Sequence, residues 1–312
     1  MSTLFFSRND LEAMLPTICK NFDKGQNRWR KTSTVAVGPP GTGKTTMIFT
    51  MAKHPDLVKW YNGVTGLELA EVPVYTTSCH PDATAPEVYG QYLPLDGNWT
   101  FIPGSMLRAW GYNWHGEHVG IGPGPGVIDP TGYDAVCKTP PPGIHLLDDI
   151  HLMGPGGQAA MYKSFDNGVG ANFMDPFGKL HFPHEAALAF GTMNGEINSL
   201  DEAVVDRCGA KPLVMEPSTA MLANLEEDMR ELCAADYTDN LEPIATYREW
   251  LSISQLRPVV GLAKAVVLAL GKEDRAKKLI EALAKVEASG VFGTKSREAR
   301  EALKAIVEGT PA

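Results

Sequence analysis

One run, Gly38-Pro39-Pro40-Gly41-Thr42-Gly43-Lys44-Thr45-Thr46, constrains this chain more than any other stretch. It fits the pattern G-x-x-x-x-G-K-[ST]. The β-branched Thr34-Val35-Ala36-Val37 precedes it, reading as a buried strand, and a helix-forming composition follows from Thr45 to Lys53. Strand, glycine loop and helix in that order form a phosphate cradle. Glycines let successive N–H groups curl toward one anion, and the helix N-terminus adds partial positive charge. Lys44 would reach the β- and γ-phosphates of a nucleotide, and the Thr45 hydroxyl would hold Mg²⁺. A glycine turn with a solvated lysine is the bland alternative, and the flanking elements argue against it.

A second segment supplies acid chemistry. Ile144-His145-Leu146-Leu147-Asp148-Asp149 is an apolar strand ending in two carboxylates. Asp148 would hold Mg²⁺, and Asp149 would orient or deprotonate an attacking water. Alone the pattern also fits a solvated strand end; with a phosphate loop upstream, the chemical reading is favoured. Ala187 to Met193 reads as another buried strand and runs into Asn194, a polar residue where open α/β sheets place ligands. A plain turn asparagine is the alternative.

The length of 312 residues fits about two domains with a sizeable core. No apolar run approaches the ~20 residues that span a bilayer, and Met1 to Asp10 lacks a basic start and apolar core, so a cytoplasmic protein is expected. Cys19, Cys79, Cys137, Cys208 and Cys233 are odd in number and scattered, which reads as reduced thiols. A net charge of −9 argues against a broadly basic nucleic-acid surface.

In chain order, Leu11, Met14, Leu15 and Ile18 predict an amphipathic helix over roughly 9–21, with Pro16 as a kink. Val74 to Thr77 reads as a strand, Thr84 to Leu93 and Gly104 to Trp110 as short helices. Gly111 to Gly143 is rich in Gly and Pro; a functional loop and a tolerated insertion are equally open. His115 and His118 with Cys79, His80 or Cys137 are weaker as metal ligands than as solvated loop residues. Gln158 to Phe165 reads as a helix, 171–174 and 179–182 as a hairpin, Leu200 to Cys208 as a short helix, and Pro212 to Met215 as the last strand. Beyond it, one apolar face joins Val259, Leu262, Ala263, Val266, Val267 and Leu270, with Pro258 at a first helical position. Further faces follow at Ala276, Leu279, Ile280 and Leu283, and at Ala299, Ala302, Leu303 and Ile306. The reading is an α/β nucleotide domain over 1–215 and a small helical domain over 216–312.

Together these pieces resemble an AAA+ ATPase of the MoxR and CbbQ/NorQ branch over nearly the whole chain. Gly38 to Thr45 resembles Walker A and Leu146 to Asp149 Walker B. Phe190-Gly191-Thr192-Met193-Asn194 resembles the F-A-T-x-N sensor 1 strand, and Leu200 to Arg207 the L-P-E-A-x-x-D-R-F segment, whose arginine acts on a neighbouring subunit's nucleotide. Ser254 to Arg257 is similar to the S-x-R of sensor 2, and Thr100 to Ala109 to the G-P-L-x-x-A segment near the pore insertion. The resemblance implies a P-loop NTPase domain with a mostly parallel five-stranded sheet, helices on both faces and an all-α lid. It implies ATP and Mg²⁺ as cofactors, a hexameric ring, and a protein client, often with a von Willebrand A domain partner. Three features depart from it: Asp149 stands for the usual glutamate, Cys208 for the phenylalanine after the arginine, and the 111–143 insertion is long.

On this basis the expected catalytic residues are Lys44, Asp149, Asn194 and Arg207; Gly38 to Thr46 and Arg257 bind nucleotide, and Thr45 and Asp148 bind Mg²⁺. A surface ion pair with Asp201 or Glu202 is the plain alternative for Arg207. The rival readings are a nucleic-acid motor or loader, and an ATP-binding scaffold with slow hydrolysis.

Overall fold

The computed structural model describes residues 33–95, 98–111, 141–166, 171–174, 180–195, 197, 200–239, 243–272 and 274–279, with a few positions between 12 and 29. Most of the expected helix over 9–21, the body of the Gly/Pro insertion with His115, His118 and Cys137, and the apolar face from Ala299 lie outside them. The chain forms two compact units. One comprises Asp10–Val37 and Lys44–Leu213; the other joins Gly38–Gly43 to Val214–Ala312.

The first unit is α/β, built on a parallel sheet of four strands. These are β1 (Thr34–Val37), β2 (Val74–Ser78), β5 (Ile144–Asp148) and β8 (Leu188–Met193), in the order β1-β8-β5-β2. Every residue of β1 and β8 is buried, as is β5 up to Asp148. That burial explains why these strands read as continuous apolar runs rather than alternating ones. The register sets Gly191 opposite Leu147 and Ser78 opposite Asp148, so the carboxyl ends of β2, β5 and β8 finish side by side.

A fifth strand does not form. Ala210 and Leu213 meet β1 at isolated parallel bridges, with Val35 N–H on Ala210 and Val37 N–H on Pro212, both at 3.0 Å. Pro212 has no N–H to return, so the ladder cannot propagate.

Elsewhere in this unit, α1 (Lys44–Ala52) follows the glycine loop, and α2 (Pro55–Thr65) lies in a stretch that sequence patterning leaves unassigned. Pro55 opens α2 and Gly66 closes it in the left-handed conformation, a pair of end signals written in the sequence. The helix expected over 84–93 is α3 (Ala85–Tyr89) only. Gly90, at φ 120°, turns the chain into β3 (Gly90–Leu95), which pairs antiparallel with β4 (Asn98–Pro103). Then come α4 (Ser105–Ala109), α5 (Pro155–Phe165), the short β6 (Phe173–Met174) and β7 (Leu180–His181), and α6 (Glu202–Arg207). The turn between β6 and β7 lies outside the described residues.

The named elements of the second unit beyond the loop are helices: α7 (Thr219–Leu222), α8 (Glu227–Asp239), α9 (Tyr247–Val260) and α10 (Leu262–Leu270). Trp250, Ile253, Met229, Leu232, Val266 and Leu270 share its core. Thr246 and Glu249 form a capping box that fixes the start of α9. Pro258 lies inside α9, not at a first turn, and Gly261 separates α9 from α10. The proposed single face from Val259 therefore breaks: Val259 is 81% exposed, while Val266 and Leu270 are buried. Among the described residues no helix is long and apolar enough to cross a membrane.

Candidate functional site

The glycine loop carries the backbone its pattern demands. Gly41 and Gly43 have φ of 80° and 76°, a region that side chains with a Cβ rarely occupy. Thr42 is fully buried and its hydroxyl donates to the Pro39 carbonyl at 3.0 Å, closing the loop on itself. Within the same unit, the Tyr237 hydroxyl accepts Tyr247 N–H at 2.8 Å and lies 3.5 Å from the Pro40 carbonyl. A Cβ on Gly41 would sit 3.0 Å from Tyr247 N. Thr46 faces outward.

The α/β unit gathers the expected acids, Lys44, Thr45 and Asn194 at the carboxyl ends of β5 and β8. Lys44 is 6% exposed, and its ammonium donates to Asn194 Oδ1 at 2.9 Å. Asn194 Nδ2 donates in turn to Asp149 Oδ1 at 3.1 Å. The Thr45 hydroxyl donates to Asp148 Oδ1 at 2.7 Å. Three side chains thus form a line from cation through amide to carboxylate, with a hydroxyl–carboxylate pair beside it.

Asp149 is not the last residue of the strand. β5 ends at Asp148, and Asp149 turns the chain at φ 57°, ψ 49° into a short 3₁₀ turn, Ile150–Leu152. Among the described residues it is the one non-glycine with positive φ. Aspartate tolerates this region better than most residues, and strain of this sort collects at functional sites. Its N–H is received by the hydroxyl of Thr192, which also donates to Asp148 Oδ1 at 2.5 Å. Sequence reasoning did not single out Thr192. It stands in β8 two residues before Asn194, which directly follows the strand's end, and that two-residue spacing from the polar residue is the signal that could have found it.

One hydroxyl and one carboxylate are a donor set suited to Mg²⁺, which takes oxygen ligands and retains several waters. Thr45 and Asp148 would hold it. Outside this pair, no cluster of three or more His, Cys, Asp or Glu side chains suited to a metal occurs among the described residues. Cys79 borders the acids, its N–H donating to the Asp148 carbonyl at 2.9 Å. Burial, helped by the Asp148 and Asp149 charges, pushes its thiol up to about 12, so it stays protonated and unreactive.

Beneath the acids, His145 is completely buried. Its Nε2 is 3.0 Å from Thr77 Oγ1 and 3.1 Å from Ser105 Oγ, and its Nδ1 is 2.5 Å from Ser164 Oγ. Burial holds its pKa down at about 3, so the ring is neutral. The ring joins β2, α4, β5 and α5.

The two arginines have other partners. Arg207 ends α6, and its partner is not Asp201 or Glu202. Its Nε donates to Asp166 at 2.5 Å, Nη1 to the Ala203 carbonyl at 2.7 Å, and the guanidinium lies 5.3 Å from the centre of the Tyr162 ring. Asp201 instead caps α6, accepting Ala203 N–H. Arg257, on α9, donates to Glu226 at 3.0 Å.

No family model and no curated protein matches the chain. Among solved structures, it is similar to a protein from Cytophaga hutchinsonii ATCC 33406 named as a candidate ATPase, at 14% identity and a TM-score of 0.40, over 89% of this chain and 73% of that one.

Proposed function

We propose that the chain binds ATP with Mg²⁺ and hydrolyses it. The observation that carries this is the meeting of two motifs remote in sequence: Thr45 on Asp148, and Lys44 on Asn194 and through it on Asp149. In the proposed cycle, loop N–H groups and Lys44 would take the phosphates, and Thr45 and Asp148 would hold Mg²⁺, which would supply charge neutralisation at the phosphoryl oxygens. Asp149 directs water at the transferred group while Asn194 fixes its carboxylate. The resemblance to the MoxR and CbbQ/NorQ branch extends the proposal to a hexameric ring with a helical lid. In that ring Arg207 acts on a neighbour's nucleotide and Arg257 on its own, and ATP-driven changes in packing remodel a protein client. A von Willebrand A domain protein is the proposed partner type.

The test is phosphate release by purified protein with ATP and Mg²⁺, alone, with DNA, and with the products of neighbouring genes. Turnover stimulated by a protein supports the reading. Stimulation by DNA alone would favour a nucleic-acid motor, and tight ATP binding without turnover a scaffold.

A further inference from the structure

We infer that Thr192 is a positioning residue that sets both acids of this site at once, an inference resting on the ATPase reading above. The sheet register puts it there. Gly191 lies opposite Leu147, so the next residue of β8 stands beside Asp148 where β5 ends. Thr192 is 1% exposed, so its hydroxyl must find its partners inside the protein.

A hydroxyl has one hydrogen to give and lone pairs to receive. The hydrogen of Thr192 goes to Asp148 Oδ1 at 2.5 Å, and the oxygen receives Asp149 N–H at 3.0 Å. The first contact orients the carboxylate proposed for Mg²⁺. The second holds the backbone of the residue proposed to direct water, at the point where that backbone turns left-handed. Asp149 then meets Asn194 Nδ2 at 3.1 Å, so the turn also aims the side chain.

Thr45 donates to the same Asp148 oxygen at 2.7 Å. Were Thr45 to turn to a bound Mg²⁺, Thr192 would be the hydroxyl left on Asp148. It would then keep the carboxylate oriented with and without the metal, and serve hydrolysis and metal binding through one atom. Groups that orient metal ligands in this way commonly matter by about 10–100-fold in metal affinity or activity.

The experiment compares the parent with Thr192→Val, which keeps the shape and removes the hydroxyl, and Thr192→Ser, which keeps the hydroxyl. Three quantities are read: binding of a fluorescent ATP analogue as Mg²⁺ is titrated, binding of the same analogue in EDTA, and kcat with KM for ATP. For Thr192→Val the expected result is about a tenfold or greater rise in the Mg²⁺ needed for half-maximal binding, a fall in kcat of about tenfold or more, and unchanged binding in EDTA. Thr192→Ser should behave as the parent. If Thr192→Val does not fold, Thr192→Ala is read in the same way. Parental Mg²⁺ dependence and kcat in the hydroxyl-less variant would overturn the inference while leaving the ATPase reading standing. Equal losses with and without Mg²⁺, not rescued by serine, would overturn it in favour of a packing role. A parent that binds no nucleotide would overturn the ATPase reading and this inference with it.

Discussion

The buried ammonium of Lys44 donates to the side-chain oxygen of Asn194 at 2.9 Å, a neutral acceptor held in turn against Asp149. A phosphate oxygen would be the stronger partner, because charge-assisted hydrogen bonds are about twice as strong as neutral ones. On the proposed reading, ATP draws Lys44 away and frees the Asn194 oxygen. Lys44→Ala should therefore lose tight ATP binding by about 10²-fold or more, each lost charged hydrogen bond being worth about 1.5–3 kcal/mol. Calorimetric titration at equal protein concentration checks this; parental affinity in the variant would end the phosphate-loop reading.

Asp148 and Asp149 should separate by substitution. Asp148→Asn removes the carboxylate that meets Thr45 and is expected to weaken Mg²⁺-dependent binding. Asp149→Asn keeps a residue that tolerates the left-handed turn, so binding should survive while hydrolysis slows by about 10²–10⁴-fold. The same geometry bears on the departure from the usual glutamate. Asp149→Glu places a longer side chain in a turn it tolerates less well, and it is expected not to raise turnover. Steady-state rates with matched binding curves decide both points. Parental hydrolysis by Asp149→Asn would remove Asp149 from the chemistry.

The site was legible in the sequence wherever chemistry and period agreed. Gly38 to Thr45, Asp148 and Asn194 each combine a special residue type with a buried parallel strand, and burial on both faces makes such strands easy to read. Two kinds of feature were hidden. Thr192, His145 and Asp166 are ordinary residue types whose roles appear only through partners 19 to 68 positions away. The others are local: Gly90 ends α3 early to begin a hairpin, Pro212 interrupts the fifth strand, and Gly261 divides an apolar run into two helices. In each, one backbone-special residue overrides side-chain periodicity.

His145 gives the fold a pH dependence. Its folded pKa is held at about 3 against an ordinary value of 6.5, so the unfolded chain binds its proton first as pH falls. Stability from this group is complete above about pH 6.5 and declines by up to about 1.4 kcal/mol per pH unit between there and about pH 3. Urea unfolding at pH 7, 6 and 5 should show a steeper decline for the parent than for His145→Gln. The variant will be less stable at pH 7, because it disturbs the contacts to Ser164, Thr77 and Ser105, so the slope and not the midpoint is the readout. Equal slopes would exclude His145 as the source.

Arg207 decides whether the proposed mechanism runs within one chain or between chains. In this chain its side chain is 34% exposed, paired with Asp166 and set over the Tyr162 ring. A pair of that exposure contributes at most about 1 kcal/mol, so its loss should not unfold the protein. An arginine supplied across an interface, by contrast, is worth roughly 10³–10⁵ in phosphoryl-transfer rate. Arg207→Ala is therefore expected to keep ATP binding and lose hydrolysis, whereas Asp166→Asn, which removes the partner and leaves the guanidinium, should keep it. Mixing Arg207→Ala with Asp149→Asn, under conditions that allow subunits to exchange, should then restore part of the activity. Some interfaces in a mixed ring pair an intact Asp149 with an intact Arg207, and the ATPase rate should peak at intermediate ratios. A flat, inactive mixing curve, full activity in Arg207→Ala alone, or normal hydrolysis by a chain that stays monomeric with ATP would each sink the ring mechanism and leave Arg207 with its ion pair to Asp166.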